Sequence, residues 1–150
     1  MTGSPFGGTA RWAERLAPLP HRHVLTLPVA PSAVRTARQT AERALAEWGI
    51  GLTHPVVGPA LLILCELVTN SVRHAAEPSG ELTVIYASGG DCLVLAVHDR
   101  DPRVPTLYGP AVGAGGLATV MELTHGLGGT AVVRADADGE GKSIWITLPL

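Results

Sequence analysis

Hydrophobic residues recur at helical spacing from Ala60 to Ala76, at Ala60, Ile63, Leu64, Leu67, Val68, Val72 and Ala75, which predicts one helix. A polar line runs through it. Glu66, Asn70 and His74 fall four residues apart on one face, with Thr69 and Arg73 alongside. The first half of the helix carries no charge, so the polar groups arrive together in its second half. The pattern fits a helix that is buried on one side and lines a polar cleft on the other. It fits equally a buried amphipathic helix with an incidentally polar outer stripe.

The same reading predicts a short strand over Arg22–Leu27 ended by Pro28, then a helix from Pro31 to Trp48 with Ser32 as a candidate cap. That helix buries Val34, Ala37, Ala41, Ala44, Leu45 and Trp48 and exposes Arg35, Arg38, Glu42, Arg43 and Glu47. After the central helix come two apolar strands, Glu81–Ala87 and Cys92–His98, joined by Ser88-Gly89-Gly90-Asp91 as a hairpin. Asp99 to Gly116 is rich in Pro and Gly and has no periodicity; loops of that length inside a domain are usually functional or disordered. A helix over Leu117–His125 and strands over Thr130–Ala135 and Ser143–Leu148 complete the chain. The order β-α-α-β-β-loop-α-β-β predicts an α+β two-layer sandwich, with helices on one face of a mixed, mostly antiparallel sheet.

The chain has 150 residues, enough for one domain with a real core. The reading divides it into a flexible leader over residues 1–20, where Trp12 and Leu16 suit a short helical turn, and a domain over 21–150. Apolar residues make up 46% and charged residues 16%, the composition of a globular protein. A net charge of −2 gives no electrostatic footprint for nucleic acid. No apolar run reaches the ~20 residues of a membrane span, and the N-terminal stretch lacks the pattern of a signal peptide. A cytoplasmic location is therefore expected, with Cys65 and Cys92 as buried free thiols. The histidines form no cluster at metal-ligand spacing.

Three features that bear chemistry follow in order: Glu66 and Asn70 on the central helix; Asp99-Arg100-Asp101-Pro102-Arg103-Val104-Pro105 at the exit of an apolar strand; and Gly113-Ala114-Gly115-Gly116-Leu117 feeding a helix. A carboxylate at a strand end can accept a hydrogen bond from an adenine amino group. Glycines before a helix let backbone N–H groups approach phosphates. An asparagine carbonyl is a hard oxygen ligand for Mg²⁺, and a glutamate one turn away can act as a base. Taken singly, the aspartates read as a turn opener and the glycines as a plain loop. Neither a P-loop nor a dinucleotide fingerprint is present, since Lys142, the sole lysine, lies outside any such pattern.

Together these residues resemble a known family. Glu66-Leu67-Val68-Thr69-Asn70-Ser71-Val72-Arg73-His74-Ala75 is similar to the N box of the histidine-kinase-like ATPases (the Bergerat fold), and in particular of its small single-domain branch of anti-sigma-factor serine/threonine kinases. The resemblance runs from about Arg22 to Leu150, and the tail Gly141-Lys142-Ser143-Ile144-Trp145-Ile146-Thr147-Leu148-Pro149-Leu150 resembles the family's last strand. It implies ATP and Mg²⁺ as cofactors. Asn70 would hold the metal, and Glu66 would be the catalytic base toward a serine hydroxyl or water. Asp99 would bind the adenine amino group, with Thr147 assisting from the last strand. Gly115, Gly116 and Leu117 would lie in the lid beside the phosphates, and Arg73 and His74 near them. Two departures stand out. Asp101 replaces a small residue, so that a second carboxylate repels phosphates, narrows the pocket or points to solvent. Ala114-Gly115-Gly116-Leu117 lacks the first lid glycine.

The implied function is an ATP-binding regulator that phosphorylates a small antagonist protein while holding a sigma factor in check. The altered lid motivates the alternative, a non-catalytic or nucleotide-free protein-interaction module on the same fold. A histidine-kinase catalytic domain would lack its dimerisation helix here. Relatives often form homodimers through the sheet; these strands leave that open.

Overall fold

The computed structural model describes residues 19–75, 80–103, 105 and 116–150. Residues 1–18 of the expected leader, with Trp12 and Leu16, and most of the Asp99–Gly116 loop lie outside the described residues. The elements run β1 (His21–Pro28), α1 (Ser32–Glu47), α2 (Val57–His74), β2 (Glu81–Gly89), β3 (Cys92–Asp99), α3 (Gly116–Gly126), β4 (Thr130–Ala135) and β5 (Lys142–Pro149). This is the expected order. The five strands form one open sheet in the order β1-β2-β3-β5-β4, and every described pairing is antiparallel.

Local chemistry explains where the boundaries moved. Ser32 is the first helical residue and does not cap α1; no side chain caps that end, and Ala33 N–H instead donates to Ala30 O at 2.9 Å. The central helix begins a turn earlier than its apolar spacing suggests, because Pro59 sits in the first turn, where a missing N–H costs nothing. His54 organises that entry: its Nδ1 accepts the Val56 N–H at 3.1 Å and its carbonyl accepts the Val57 N–H at 3.0 Å. The β2–β3 hairpin extends to Gly89 and Cys92 and turns on Gly90-Asp91, where Gly90 takes a positive φ of 59°.

The main core lies between the helices and one face of the sheet. Ile63, Leu64, Leu67 and Val68 of α2 pack there with Leu82, Val84 and Tyr86 of β2, Leu93, Leu95 and Val97 of β3, and Ile144, Ile146 and Leu148 of β5. Tyr86 ties the layers together by donating its hydroxyl to Ala37 O of α1 at 2.8 Å, and burial pushes its phenol pKa up. The face of the sheet away from the described helices holds a second cluster of Ile85, Ala87, Val94, Ala96 and Trp145. Both cysteines are free, and each is half-buried rather than buried. Among the described residues no helix is long and apolar enough to cross a membrane.

Candidate functional site

Antiparallel register assembles the site at one end of the sheet. β3 ends on Asp99, which stands opposite Lys142 at the start of β5 and Leu82 of β2. The C-terminal half of α2 packs over this end and presents adjacent residues in different directions. Ser71 is buried against β3, whereas Asn70 is half-buried and borders a cleft.

Asp99 is buried, and its carboxylate holds three protein donors. Ser71 Oγ donates to Oδ2 at 2.6 Å. Lys142 Nζ donates to Oδ1 at 2.7 Å, and the Asp101 N–H donates to the same oxygen at 3.0 Å. A carboxylate offers about four lone-pair sites, so one remains, on Oδ2. Lys142 Nζ also reaches Asp101 O at 3.3 Å. The Asp99–Lys142 pair has side chains only 3% and 5% exposed.

Asp101 neither points to solvent nor stands free before the cleft. It is buried and clasped by Arg103, which donates Nε at 2.9 Å and Nη2 at 2.6 Å to it, along with its backbone N–H at 3.0 Å. Those side-chain bonds hold the Asp101 carboxyl down to about 2, against the opposing effect of burial and with Lys142 adding to them. Arg103 Nη2 also donates to His74 O at 2.6 Å, giving the carbonyl end of α2 a cation and a donor.

The cleft has a volume of about 260 Å³, just below the roughly 300–1,000 Å³ usual for small-molecule sites. Asn70, His74, Asp101, Arg103, Pro105, Leu117 and Lys142 line it; Asp99 is not in that lining but is bonded to Lys142, which is. Of the residues expected from sequence, Asn70, His74, Asp101 and Leu117 therefore meet here. Glu66 is half-buried one turn along α2 from Asn70, about 6 Å in rise, and is not in the lining. Arg73 is exposed outside the lining, and Gly116 opens α3. Gly115 lies outside the described residues. The side chains of Glu66 and Asn70 have no hydrogen-bond partner among the described residues, which leaves both available to a ligand.

Thr147 is not brought to the site. It pairs with Val94 and Thr130, five residues along β5 from Lys142, or about 17 Å of strand. It also alternates onto the face of Trp145, away from the helices. The end of β5 that meets Asp99 is Lys142, which sequence reasoning set aside. Ser71, Arg103 and Lys142 are the site residues missed. A sole lysine opening an apolar strand was the available signal for Lys142, but its partner follows only from register.

The opposite face of this sheet end is braced as well. His98 is buried and its Nε2 lies 2.9 Å from Asp136 Oδ2, while Arg100 Nη1 donates to the same oxygen at 2.9 Å and Nη2 reaches Asp138 at 3.2 Å. Both neighbours of Asp99 are thus tied to the β4–β5 turn. Cys65 is no activated nucleophile: burial, then the nearby Glu66 and Glu42 carboxylates, push its thiol up against the pull of Arg38.

The site fits a nucleotide and its metal on its own chemistry. Asn70 offers an unengaged amide oxygen to a hard cation beside a cleft, and Asp99 keeps one acceptor for a base N–H. A family model described as Histidine kinase-like ATPase domain matches residues 27–146. Among solved structures, the RsbU and RsbW domains of Rv1364c from Mycobacterium tuberculosis share the fold, with a TM-score of 0.61 at 23% identity over 86% of this chain and 33% of that one. The SiaB–SiaC complex from Pseudomonas aeruginosa gives 0.57 at 13% identity over 95% and 96% of the two chains. The histidine kinase domain of a blue-light activated histidine kinase from Erythrobacter litoralis gives 0.53 at 20% identity over 83% and 62%. The present chain therefore spans about a third of the first and under two thirds of the last. No curated protein matches it.

Proposed function

Since the chain belongs to the histidine kinase-like ATPase domain family, we propose that it is an ATP-binding regulator that transfers a phosphoryl group to a serine or threonine of a small partner protein. The observation that carries this is the cleft itself, where the unengaged Asn70 amide faces the Lys142-held end of β3 that bears Asp99. ATP supplies the phosphoryl group, with Mg²⁺ balancing the phosphate charge. Asn70 would hold the metal through its amide oxygen. Asp99 would accept a hydrogen bond from the base amino group on its remaining lone pair. Glu66, which no described residue engages, would take the proton of the acceptor hydroxyl. Arg103 keeps Asp101 neutralised, so that carboxylate does not repel the phosphates. The SiaB–SiaC and RsbU–RsbW structures place this fold with a second protein or domain, which supports a protein substrate. By the same analogy the partner is an anti-sigma-factor antagonist or a sigma factor.

Two observations favour a second reading, a protein-interaction module without phosphoryl transfer. Asp99 already carries three protein hydrogen bonds, and Glu66 stands outside the cleft lining. Titration calorimetry of the full chain with ATP, with and without Mg²⁺, separates the two when paired with a transfer assay on a partner. Magnesium-dependent binding is expected, and its absence refutes the nucleotide site. With a partner in hand, Glu66→Gln is expected to bind ATP normally and to lose transfer; transfer at the wild-type rate would remove Glu66 from the role of base.

A further inference from the structure

We propose that residues 1–18 of this chain dock across the outer face of the sheet, the one turned away from the described helices, with Trp12 and Leu16 against it. The segment thereby closes that face to a second copy of the chain. This goes beyond the nucleotide reading and does not depend on it.

One row of paired residues crosses all five strands on the outer face: Val24, Ile85, Ala96, Trp145 and Val132. Its two ends are open, with Val24 57% and Val132 38% exposed. Its middle is closed, at 1% for Ile85, 0% for Ala96 and 9% for Trp145. In the next row Ala87 and Val94 are buried too. Side chains stand roughly perpendicular to a sheet, so neighbours in a row shield one another's flanks and leave their tips to water. An indole leaning over Ala96 hides the alanine but turns its own ring outward, and Trp145 is nearly as buried as the rest. A cover therefore lies over β2, β3 and β5 and stops short of the edge strands. Of the described partly buried hydrophobics, Leu19 and Cys92 pack on this cluster, and Cys92 belongs to the sheet itself.

Leu19 marks where the cover comes from. Gly89 is an outer-face position two residues beyond Ala87. A Cβ added there would meet the Pro20 ring and stand 3.0 Å from Leu19 Cα and Cδ2. The chain thus passes directly over this end of β2, and residues 1–18 lead into it from the same face. The cluster spans three strands, about 10 Å. Eighteen residues reach about 27 Å even if wholly helical, which is ample. At helical spacing Trp12, Ala13, Leu16 and Ala17 fall on one side, and Arg11, Glu14 and Arg15 on the other. That gives an apolar side for the sheet and a charged side for water.

Full-length chain, methyl-labelled at Ile, Leu and Val, tests this by NMR with a soluble gadolinium chelate as the probe of exposure. The Val24 methyls are expected to broaden, whereas those of Ile85 and Val94 stay sharp and show cross-peaks to the Trp12 ring and Leu16 methyls. Broadening of Ile85 and Val94 to the level of Val24 would mean a bare face and would overturn the proposal. Mixing labelled with unlabelled chain separates contacts within one chain from contacts between two. Cross-peaks to the face that arise only between chains would make a second copy the occupant, and would overturn it as well. Trp12→Ser/Leu16→Ser in the full-length chain is expected to lose the cross-peaks and expose Ile85 and Val94 to the chelate. Val84 and Leu95, which face the helices, are expected to keep their wild-type protection and so report an intact fold. Ile85 and Val94 as protected in that variant as in the wild type would refute docking through Trp12 and Leu16.

Discussion

Removing one member of the Asp99–Lys142 pair is expected to destabilise the domain far more than removing both. In Asp99→Ala the ammonium stays buried, at 4% exposure, with only the 3.3 Å contact to Asp101 O, and the Ser71 hydroxyl loses its 2.6 Å acceptor. Breaking a buried pair costs about 3–5 kcal/mol, and an orphaned hydroxyl adds about 1. Against a total stability of about 5–15 kcal/mol, that is about a quarter or more, and it lowers Tm by roughly 8–24 °C. Asp99→Ala/Lys142→Met removes both charges and is expected within about 2 kcal/mol of the wild type, so the cycle shows a coupling of at least about 2 kcal/mol. Urea unfolding followed by tryptophan fluorescence, with circular dichroism as a second probe, measures all four corners. If Asp99→Ala cost under about 1 kcal/mol, or if the single changes added, the buried pair would not hold this end of the sheet. The result also governs any binding experiment, because lost ATP affinity in Asp99→Ala counts only where the variant is folded.

Other perturbations follow from the same geometry. Asn70→Ala removes a half-buried side chain with no described partner, so it should abolish Mg²⁺-dependent ATP binding while shifting stability by no more than about 1 kcal/mol; calorimetry and a melt read the two separately. Gly141→Ala puts a Cβ against the Asp136 carboxylate and 2.7 Å from Asp99 O, and should cost about 2–3 kcal/mol. Gly139→Ala meets no atom within 4 Å and pays only for its positive φ of 73°, about 1 kcal/mol, which denaturant midpoints can distinguish. Asp101 has its folded pKa lowered from an ordinary 3.8 to about 2, so its contribution is complete above pH ~4 and is lost as pH falls from about 4 to 2. With the Arg103 side chain 71% exposed and screened, that contribution is about 1–2 kcal/mol; Asp101→Asn should flatten acid unfolding over this range, and an unchanged profile would refute the clasp.

Periodicity made most of the fold legible. The apolar set on the central helix and the alternating strands around Gly90 lie where their spacing puts them, because burial on one face leaves a sequence signature. The boundaries shifted where one side chain or turn decides them, as with Pro59 and His54 at the start of α2. In the site, Asn70 and His74 were readable from helical spacing, and Asp99 from its place at the end of an apolar strand. Ser71, Lys142 and Arg103 were not, because each acts through a contact set by register or by a loop's return. Thr147 shows the same limit from the other side. It sits on the expected strand, yet five residues of register and one step of alternation take it out of reach.

The arrangement also constrains where chemistry is possible. On the proposed reading metal binding would fall on Asn70, which lines the cleft, and base recognition on Asp99, which is bonded to the cleft residue Lys142. Glu66 lies a helical turn away toward the N-terminus of α2, outside that lining, with no described residue to orient its carboxylate. A base placed there gains nothing from the base pocket and needs a hydroxyl delivered from its own side of the cleft. On the proposed function, nucleotide affinity and phosphoryl transfer would then be separable. The first would rest on the domain alone, and the second would depend on a partner presenting its serine or threonine across α2 at Glu66. On that argument ATP turnover in the isolated chain stays low even where ATP binds well, and adding the true partner raises transfer without changing nucleotide affinity.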